Sequence, residues 1–327
     1  MSKAASPLLV GEILVDEFGD QGLPGGAPFN VARSLAALGQ PPRLVTRLGE
    51  DGHGERLVRE LQAFGLPPLG VQRDGRHASG RVSVVEDAPG QHRFVIHGDA
   101  AWDHVQSGPA LAALRAAPTP LFYFGTLAQR GEGTRRTVQA LLDALPTDCL
   151  RYLDLNLRDG LPQRELAQLN LPRTDWLKIN EDELQRLLRW FVPGLAPGDA
   201  DLAARPLAAL QPALGALMAR FDLKRVILTL GTRGYACFDA PGRLVAQGGG
   251  QAVAVVDTVG AGDGFSAMLL AAHLRGWPIA PALALANRYA AALCGQRGPV
   301  PAADSGFFAH WRETLDAGPA ATQETAA

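Results

Sequence analysis

Cysteine is scarce in this chain. Cys149, Cys237 and Cys294 are the only three in 327 residues, and their odd number and wide spacing exclude a disulfide scaffold, a close-spaced zinc motif and a redox pair. A reducing compartment follows as the expectation. An excess of one charge is also missing: 31 Lys+Arg face 33 Asp+Glu, a formal net charge of -2. That balance gives no broad basic footprint for nucleic acid or an anionic membrane, so any phosphate has to be held locally. Long hydrophobic runs are lacking too. The apolar stretch Leu8–Val10 is too short for a signal-peptide core, and the helical candidate from Pro281 to Cys294 is interrupted by Asn287 and Arg288. The expectation is a cytoplasmic protein without a membrane or nucleic-acid partner. Two phosphate or ester motifs are absent as strings, the G-x-x-x-x-G-K-[ST] loop and the G-x-S-x-G elbow. The seven histidines, including His53, His77, His92, His97 and His104, show no metal-ligand spacing along the sequence, and none is assigned a catalytic role.

What is present is a globular composition, 47% hydrophobic with 37 Gly and 24 Pro, on a chain long enough to bury a large core. The first half alternates strand and helix signals. The run Leu8–Asp16 reads as a buried strand, Pro24-Gly25-Gly26 as a turn, and Val31, Leu35 and Leu38 as a helix face closed by Gly39 and Pro41-Pro42. A strand at 43–48 and a helix at 54–64 follow, giving the β-α-β-α order of a mostly parallel sheet. From Arg76 to His97 the pattern changes to a hairpin, with short β-rich runs either side of Asp87-Ala88-Pro89-Gly90. Alternation then resumes with strands at 121–124, 150–155, 176–179 and 226–230. One layered α/β domain spanning 1–327 is therefore expected, with an irregular excursion at 191–206 and a frayed tail from Leu315.

The most informative stretch runs from Val253 to Leu270. It reads as a strand passing through Gly260-Ala261-Gly262-Asp263-Gly264 into an apolar helix. Small residues there leave backbone N–H groups open at a helix N-terminus, which is an anion site. Asp263 would repel a resting phosphate unless it has another task, and accepting a proton from an attacking hydroxyl is one. The plainer alternative is that the glycines turn the chain and Asp263 caps the helix. A dinucleotide fingerprint does not fit, because Phe265 stands where the third glycine or alanine belongs.

The run from Asp257 to Phe265 closely resembles the C-terminal signature of the ribokinase-like sugar kinases, and Gly25-Gly26-Ala27-Pro28-Phe29-Asn30-Val31-Ala32 resembles their N-terminal one. Asp154–Arg158, Lys178–Leu184 and Thr229–Gly234 are similar to family blocks in family order, so the likeness covers about Gly11 to Pro301. The resemblance implies a mostly parallel central sheet flanked by helices, and a small β lid built from roughly residues 11–26 and 72–102. It implies transfer of a phosphoryl group from ATP to a sugar hydroxyl. Asp263 would be the base, with Gly260, Ala261 and Gly262 forming, together with Asp263, a backbone anion hole.

By the same resemblance, Asp16, Gly25, Gly26 and Asn30 bind sugar hydroxyls, Arg158 lies near substrate or phosphates, and Trp102 packs on a sugar face. Thr229, Gly231, Gly234 and Asn287 line the nucleotide side, with Lys178 and Asn180 near the phosphates. Asn180 and Glu183 help hold Mg2+ through water, and Asp257 and Thr258 match a monovalent-cation position, usually K+. Each has a simpler structural reading: Asp16 ends a strand, Asn180 and Glu183 form a helix cap, Trp102 is a core residue, and Lys178 is solvated. Gly25–Asn30, Ala101-Trp102-Asp103 and Phe124–Arg130 resemble the fructokinase-like branch. A 2-keto-3-deoxygluconate or nucleoside kinase of the same fold is the alternative, and a catalytically silent sugar- or nucleotide-binding protein the third. A dimer through an exposed lid sheet is a further expectation.

Overall fold

Residues 4–18, 21–88, 91–195 and 205–319 are described by the computed structural model. The strands in chain order are β1 (Leu8–Val10), β2 (Leu14–Phe18), β3 (Gln21–Gly25), β4 (Arg43–Gly49), β5 (Val71–Asp74), β6 (Gly80–Ala88), β7 (Gln91–Ile96), β8 (Leu121–Gly125), β9 (Leu150–Asp154), β10 (Trp176–Asn180), β11 (Arg225–Thr229), β12 (Tyr235–Asp239) and β13 (Arg243–Gly248). Nine of them form one sheet in the order β13-β12-β11-β10-β9-β8-β1-β4-β5. Every pairing from β11 to β5 is parallel, and β12 and β13 add an antiparallel edge. The other four form a small sheet, β3-β2-β6-β7.

The helices are α1 (Ala27–Ala37), α2 (Gly52–Ala63), α3 (Ser107–Arg115), α4 (Glu132–Ala144), α5 (Gln163–Asn170), α6 (Glu181–Phe191), α7 (Gln211–Phe221), α8 (Ala261–Leu274), α9 (Ile279–Cys294) and α10 (Phe307–Ala317). Successive strand side chains point to opposite faces, and this divides the core in two. Leu8, Val10, Phe122 and Phe124 pack with residues of α3, α4, α6 and α7, whereas Leu9, Leu121 and Tyr123 pack with α1, α2, α8, α9 and α10. Both faces being covered explains why these strands read as continuous apolar runs. Each such side chain removed from water contributes roughly 1.5–3 kcal/mol.

Three expectations are corrected. Leu8–Asp16 is not one strand: it breaks at Gly11, and its first part joins the large sheet while its second part joins the small one. Gly11 has φ +155°, and a Cβ there would meet Pro28 Cγ at 2.4 Å, so the residue that divides the two sheets has to be glycine. Val253–Val256 is not a strand. It is an irregular segment with Val255 and Val256 exposed, tied down by the Val256 and Asp257 N–H groups donating to the Cys294 carbonyl. Finally, Leu315 does not begin a frayed tail, since it lies on α10 and is buried. Residues 320–327 of that tail lie outside the described residues, as do most of the 191–206 excursion and Pro89-Gly90 of the hairpin turn.

Candidate active site

The parallel strands β8, β9, β10 and β11 end along one edge of the large sheet, where open α/β sheets place their ligands. Over this edge lies a cavity of about 970 Å³ whose opposite wall is the small sheet. Its lining includes Glu12, Asp16, Gly26 and Asn30, and also Lys178, Asn180, Glu183, Thr229, Gly260 and Gly262. Asp154, Arg158 and Asp263 line it as well.

Asp263 sits on the first turn of α8. Its helix starts at Gly260, which has left-handed φ 80° and whose Cβ, if present, would meet Pro299 at 2.6 Å. The helix folds here because a buried apolar run, Phe265–Ala272, follows the small-residue turn. Ala261 N–H donates to the Thr258 carbonyl at 3.3 Å, so the anion hole expected from residues 260–263 is reduced. Among the described residues the N–H groups of Gly262 and Asp263 have no acceptor, as helix geometry leaves them. Asn30 Nδ2 donates to Asp263 Oδ2 at 2.7 Å. Burial first, then the Asp154 charge, pushes Asp263 up to about 6 against the Asn30 bond and the Lys178 and Arg158 charges.

Behind Asn30 is a residue the sequence reading missed. Arg33, buried three positions along α1, donates to Asn30 Oδ1 at 2.7 Å, to Glu60 Oε1 at 2.7 Å and to the Pro24 carbonyl at 2.9 Å. These bonds fix which end of the Asn30 amide faces Asp263. The signal was available as the i, i+3 spacing of Asn30 and Arg33.

Asp154 was also passed over, although its block had been noted. It stands beside Lys178 in the parallel register of β9 and β10. Lys178 Nζ donates to both its oxygens at 2.9 and 3.0 Å, and Tyr123 Oη and Ser266 Oγ donate to Oδ2 at 3.2 and 3.1 Å. Lys178 is thus buried and paired rather than solvated. Burial alone would lower its pKa, but the Asp154 charge raises it overall.

Glu12 is a third omission. It follows the β1 break, and its Oε1 accepts the Ala27 N–H at 3.3 Å while Oε2 is buried without a partner among the described residues. Burial pushes it up to about 7. Asp16, on β2, is raised to about 6 by burial against the Arg33 and Arg158 charges. Gly25, paired with Leu14 across the β2–β3 hairpin, lies beside the Asp16 carboxylate, where a Cβ would come within 2.2 Å of Asp16 Oδ2.

Asn180 and Glu183 form a full capping box. Asn180 Oδ1 accepts the Glu183 N–H, Glu183 Oε2 accepts the Asn180 N–H, and Glu183 Oε1 accepts the Leu157 N–H at 2.7 Å. Both residues line the cavity, and since each carboxylate oxygen already accepts a backbone N–H, a divalent cation would be held here through water.

Several expected residues lie elsewhere. Trp102 is fully buried beneath the small sheet with the Arg130 guanidinium 4.0 Å from its ring centroid. It therefore holds Arg130, which does line the cavity, and offers no sugar-facing surface. Gly231 and Gly234 shape the turn between β11 and β12, and Asn287 ties α9 to the Gly249 carbonyl. None of the three lines the cavity. Both oxygens of Asp257 accept backbone N–H groups, from Val259 and Gly298.

A carboxylate raised toward neutrality, unbonded helix N–H groups and a paired lysine around one cleft define a site suited to moving a proton and holding a phosphoryl group. Residues 15–305 match the pfkB family of carbohydrate kinases, and the chain belongs to that family. It is a sugar kinase, a phosphotransferase. It is 28% identical over 255 residues to a fructokinase-1 of Oryza sativa subsp. japonica, covering 76% of this chain and 72% of that one. To a ribokinase of Arabidopsis thaliana it is 29% identical, covering 86% and 69%. Its fold superposes with a TM-score of 0.74 on a fructokinase double mutant from Vibrio cholerae O395 in a fructose-, ADP- and potassium-bound form, at 23% identity and covering 97% of this chain and 99% of that one.

Proposed function

We propose that this kinase uses ATP to phosphorylate a ketose of the fructose class, with Asp263 as general base. The observation that carries the reading is the Asp263 carboxylate itself: it lies inside the cavity, holds a single side-chain hydrogen bond from Asn30, and stands beside two unbonded N–H groups. The sugar is placed between Asp16, Gly26 and Asn30, with the small sheet as a lid over it. ATP is placed toward Lys178, Thr229 and Gly260. The sugar hydroxyl then attacks the γ-phosphorus as Asp263 takes its proton, and the Gly262 and Asp263 N–H groups receive the charge that builds on the transferred oxygens. A base near 6 is ionised at neutral pH yet basic enough to share the proton in the transition state. Asn180 and Glu183 would hold the waters of a magnesium ion, which would neutralise charge at the phosphates.

Fructokinase relatives support the ketose assignment. The alternative of a 2-keto-3-deoxygluconate kinase is favoured by one feature: the Arg158 guanidinium lines the cavity and bonds only the Leu157 carbonyl, at 3.5 Å, among the described residues, leaving it open to a substrate carboxylate. Release of ADP from MgATP across fructose, glucose, ribose, 2-keto-3-deoxygluconate and adenosine separates these readings. Highest kcat/KM for fructose is expected. Preference for the sugar acid, lost in Arg158→Met, would transfer the assignment, and no turnover with any acceptor would return it to a silent binding protein.

A further inference from the structure

We propose that His77, Asp99 and His104 bind a divalent transition-metal ion of the zinc type at the base of the small sheet. The three residues are scattered in sequence, and the fold brings them together. His77 lies on the stem leading into β6, and Asp99 and His104 lie on the stem leaving β7, His104 closing a short 3-10 turn at Ala101–His104. One ligand atom from each falls within 4.8 Å of the others. His104 Nε2 is 2.7 Å from Asp99 Oδ1, and His77 Nε2 is 3.9 Å from that same oxygen. The two imidazoles are stacked, with centroids 3.7 Å apart and planes at 17°.

The chemistry of the cluster matches a metal better than a simple ion pair. His77 Nδ1 is 2.9 Å from Asp74 Oδ2. Asp74 is buried, pairs with Arg47 Nε at 2.9 Å, and accepts the N–H groups of Arg76 and His77. A carboxylate so engaged holds the Nδ1 proton of His77 and turns the Nε2 lone pair outward, the arrangement that orients and strengthens metal-bound imidazoles. Asp99 holds φ 53°, left-handed backbone that a non-glycine residue rarely takes. Two imidazoles and one carboxylate suit Zn2+ and its neighbours over Mg2+ or Ca2+, and the partial exposure of both histidines beside an exposed Asp99 leaves the remaining position to water. Tetrahedral bonds of about 2.0–2.1 Å ask the ligand atoms to close to roughly 3.3 Å, which requires the two stacked rings to turn out of parallel so that both Nε2 lone pairs meet one ion, while the exposed Asp99 carboxylate moves freely. Bound metal would clamp the two stems to each other, away from the cavity.

The test uses the untagged full chain stripped with a chelator. Zn2+ titrated by calorimetry should bind at one equivalent and raise the melting temperature, and Co2+ should give visible absorption bands of low-symmetry coordination. The single variants His104→Gln and Asp99→Asn should each weaken Zn2+ by about 100-fold or more, since even loss of a ligand's hydrogen-bond partner costs roughly 10–100-fold. Asn tolerates the left-handed backbone at position 99, and unchanged melting without metal shows that each variant is folded. Zn2+ binding equal in wild type and a His77→Gln/His104→Gln double variant, or no Zn2+ binding by wild type, overturns the proposal. Because metal binding is read directly, failure of the kinase assignment would leave this result standing.

Discussion

Two carboxylates face the same cavity, and their surroundings give them opposite characters. Asp154, on the strand-end floor, accepts bonds from Lys178, Tyr123 and Ser266 and is 3% exposed. Asp263, at the N-terminus of α8, has one side-chain donor among the described residues, Asn30. A charge fully matched by its neighbours is part of the framework. A charge left with one hydrogen bond, and raised first by burial and then by the matched one beside it, is free to exchange a proton. The floor is built to stay as it is, and the helix end is built to react.

The sharpest way to break this contrast is Asp263→Asn. If Asp263 is the base, turnover at saturating sugar and ATP falls by about 10²–10⁴-fold while both ligands still bind. Asn caps a helix about as well as Asp, and removing a buried charge leaves the melting temperature unchanged or higher. Near-normal turnover in the folded variant would reduce Asp263 to a cap.

The complementary substitution is Asp154→Asn, which leaves the Lys178 ammonium buried without its counter-charge. Loss of one member of a buried pair costs about 3–5 kcal/mol. Denaturant midpoints should therefore drop steeply here and not for Asp263→Asn. Equal stability of the two variants would erase the distinction between floor and helix end.

How far the sequence foretold all this depends on the range over which each signal acts. The parallel sheet was legible because strands buried on both faces leave continuous apolar runs, as at Leu121–Phe124. Asp263, Asn30 and the Asn180–Glu183 box were legible because motif and helix spacing are local. Val253–Val256 misled, because β-branched residues report an extended backbone and say nothing about whether a partner strand is present. The break at Gly11 was hidden since apolar residues continue on both sides of it. Asp154 with Lys178, and Arg33 with Glu60, become visible only when strand register and helix packing bring distant residues together. The His77, Asp99 and His104 cluster lies at the same limit: three stem residues without spacing in sequence share one point in space.

Elsewhere in the cavity, Asp16→Asn probes whether the sugar and nucleotide sites are separate. Loss of a charged hydrogen-bond acceptor to a sugar hydroxyl costs roughly 1.5–3 kcal/mol, so the sugar KM should rise by about 10–150-fold with the ATP KM little changed. Equal losses for both substrates would place Asp16 wrongly. Because Asp16 is raised to about 6 by burial, its neutral replacement should not destabilise the fold.

The smallest expected effect is a pH dependence in which stability and activity run in opposite directions. Burial raises Glu12 to about 7, and Asp16 and Asp263 each to about 6. Between about pH 4 and 7 the folded chain therefore binds more protons at these sites than the unfolded one, and unfolding free energy falls as pH rises through that window. Their penalty is complete above the folded values and absent below the unfolded ones. His273, lowered by burial against Trp176, opposes it as the pH drops below its ordinary value. So does Asp74, where burial is outweighed by the N–H groups of Arg76 and His77 and the value falls to about 2, but only at the acid extreme. Melting temperatures measured from pH 8 to 5.5 should rise modestly as kcat/KM falls below about pH 6, where the base becomes protonated. Asp263→Asn should flatten part of the stability slope. Melting temperatures that decline together with kcat/KM over that range, with the same slope in the variant, would show that Asp263 is no more strained in its charged form than Asp154.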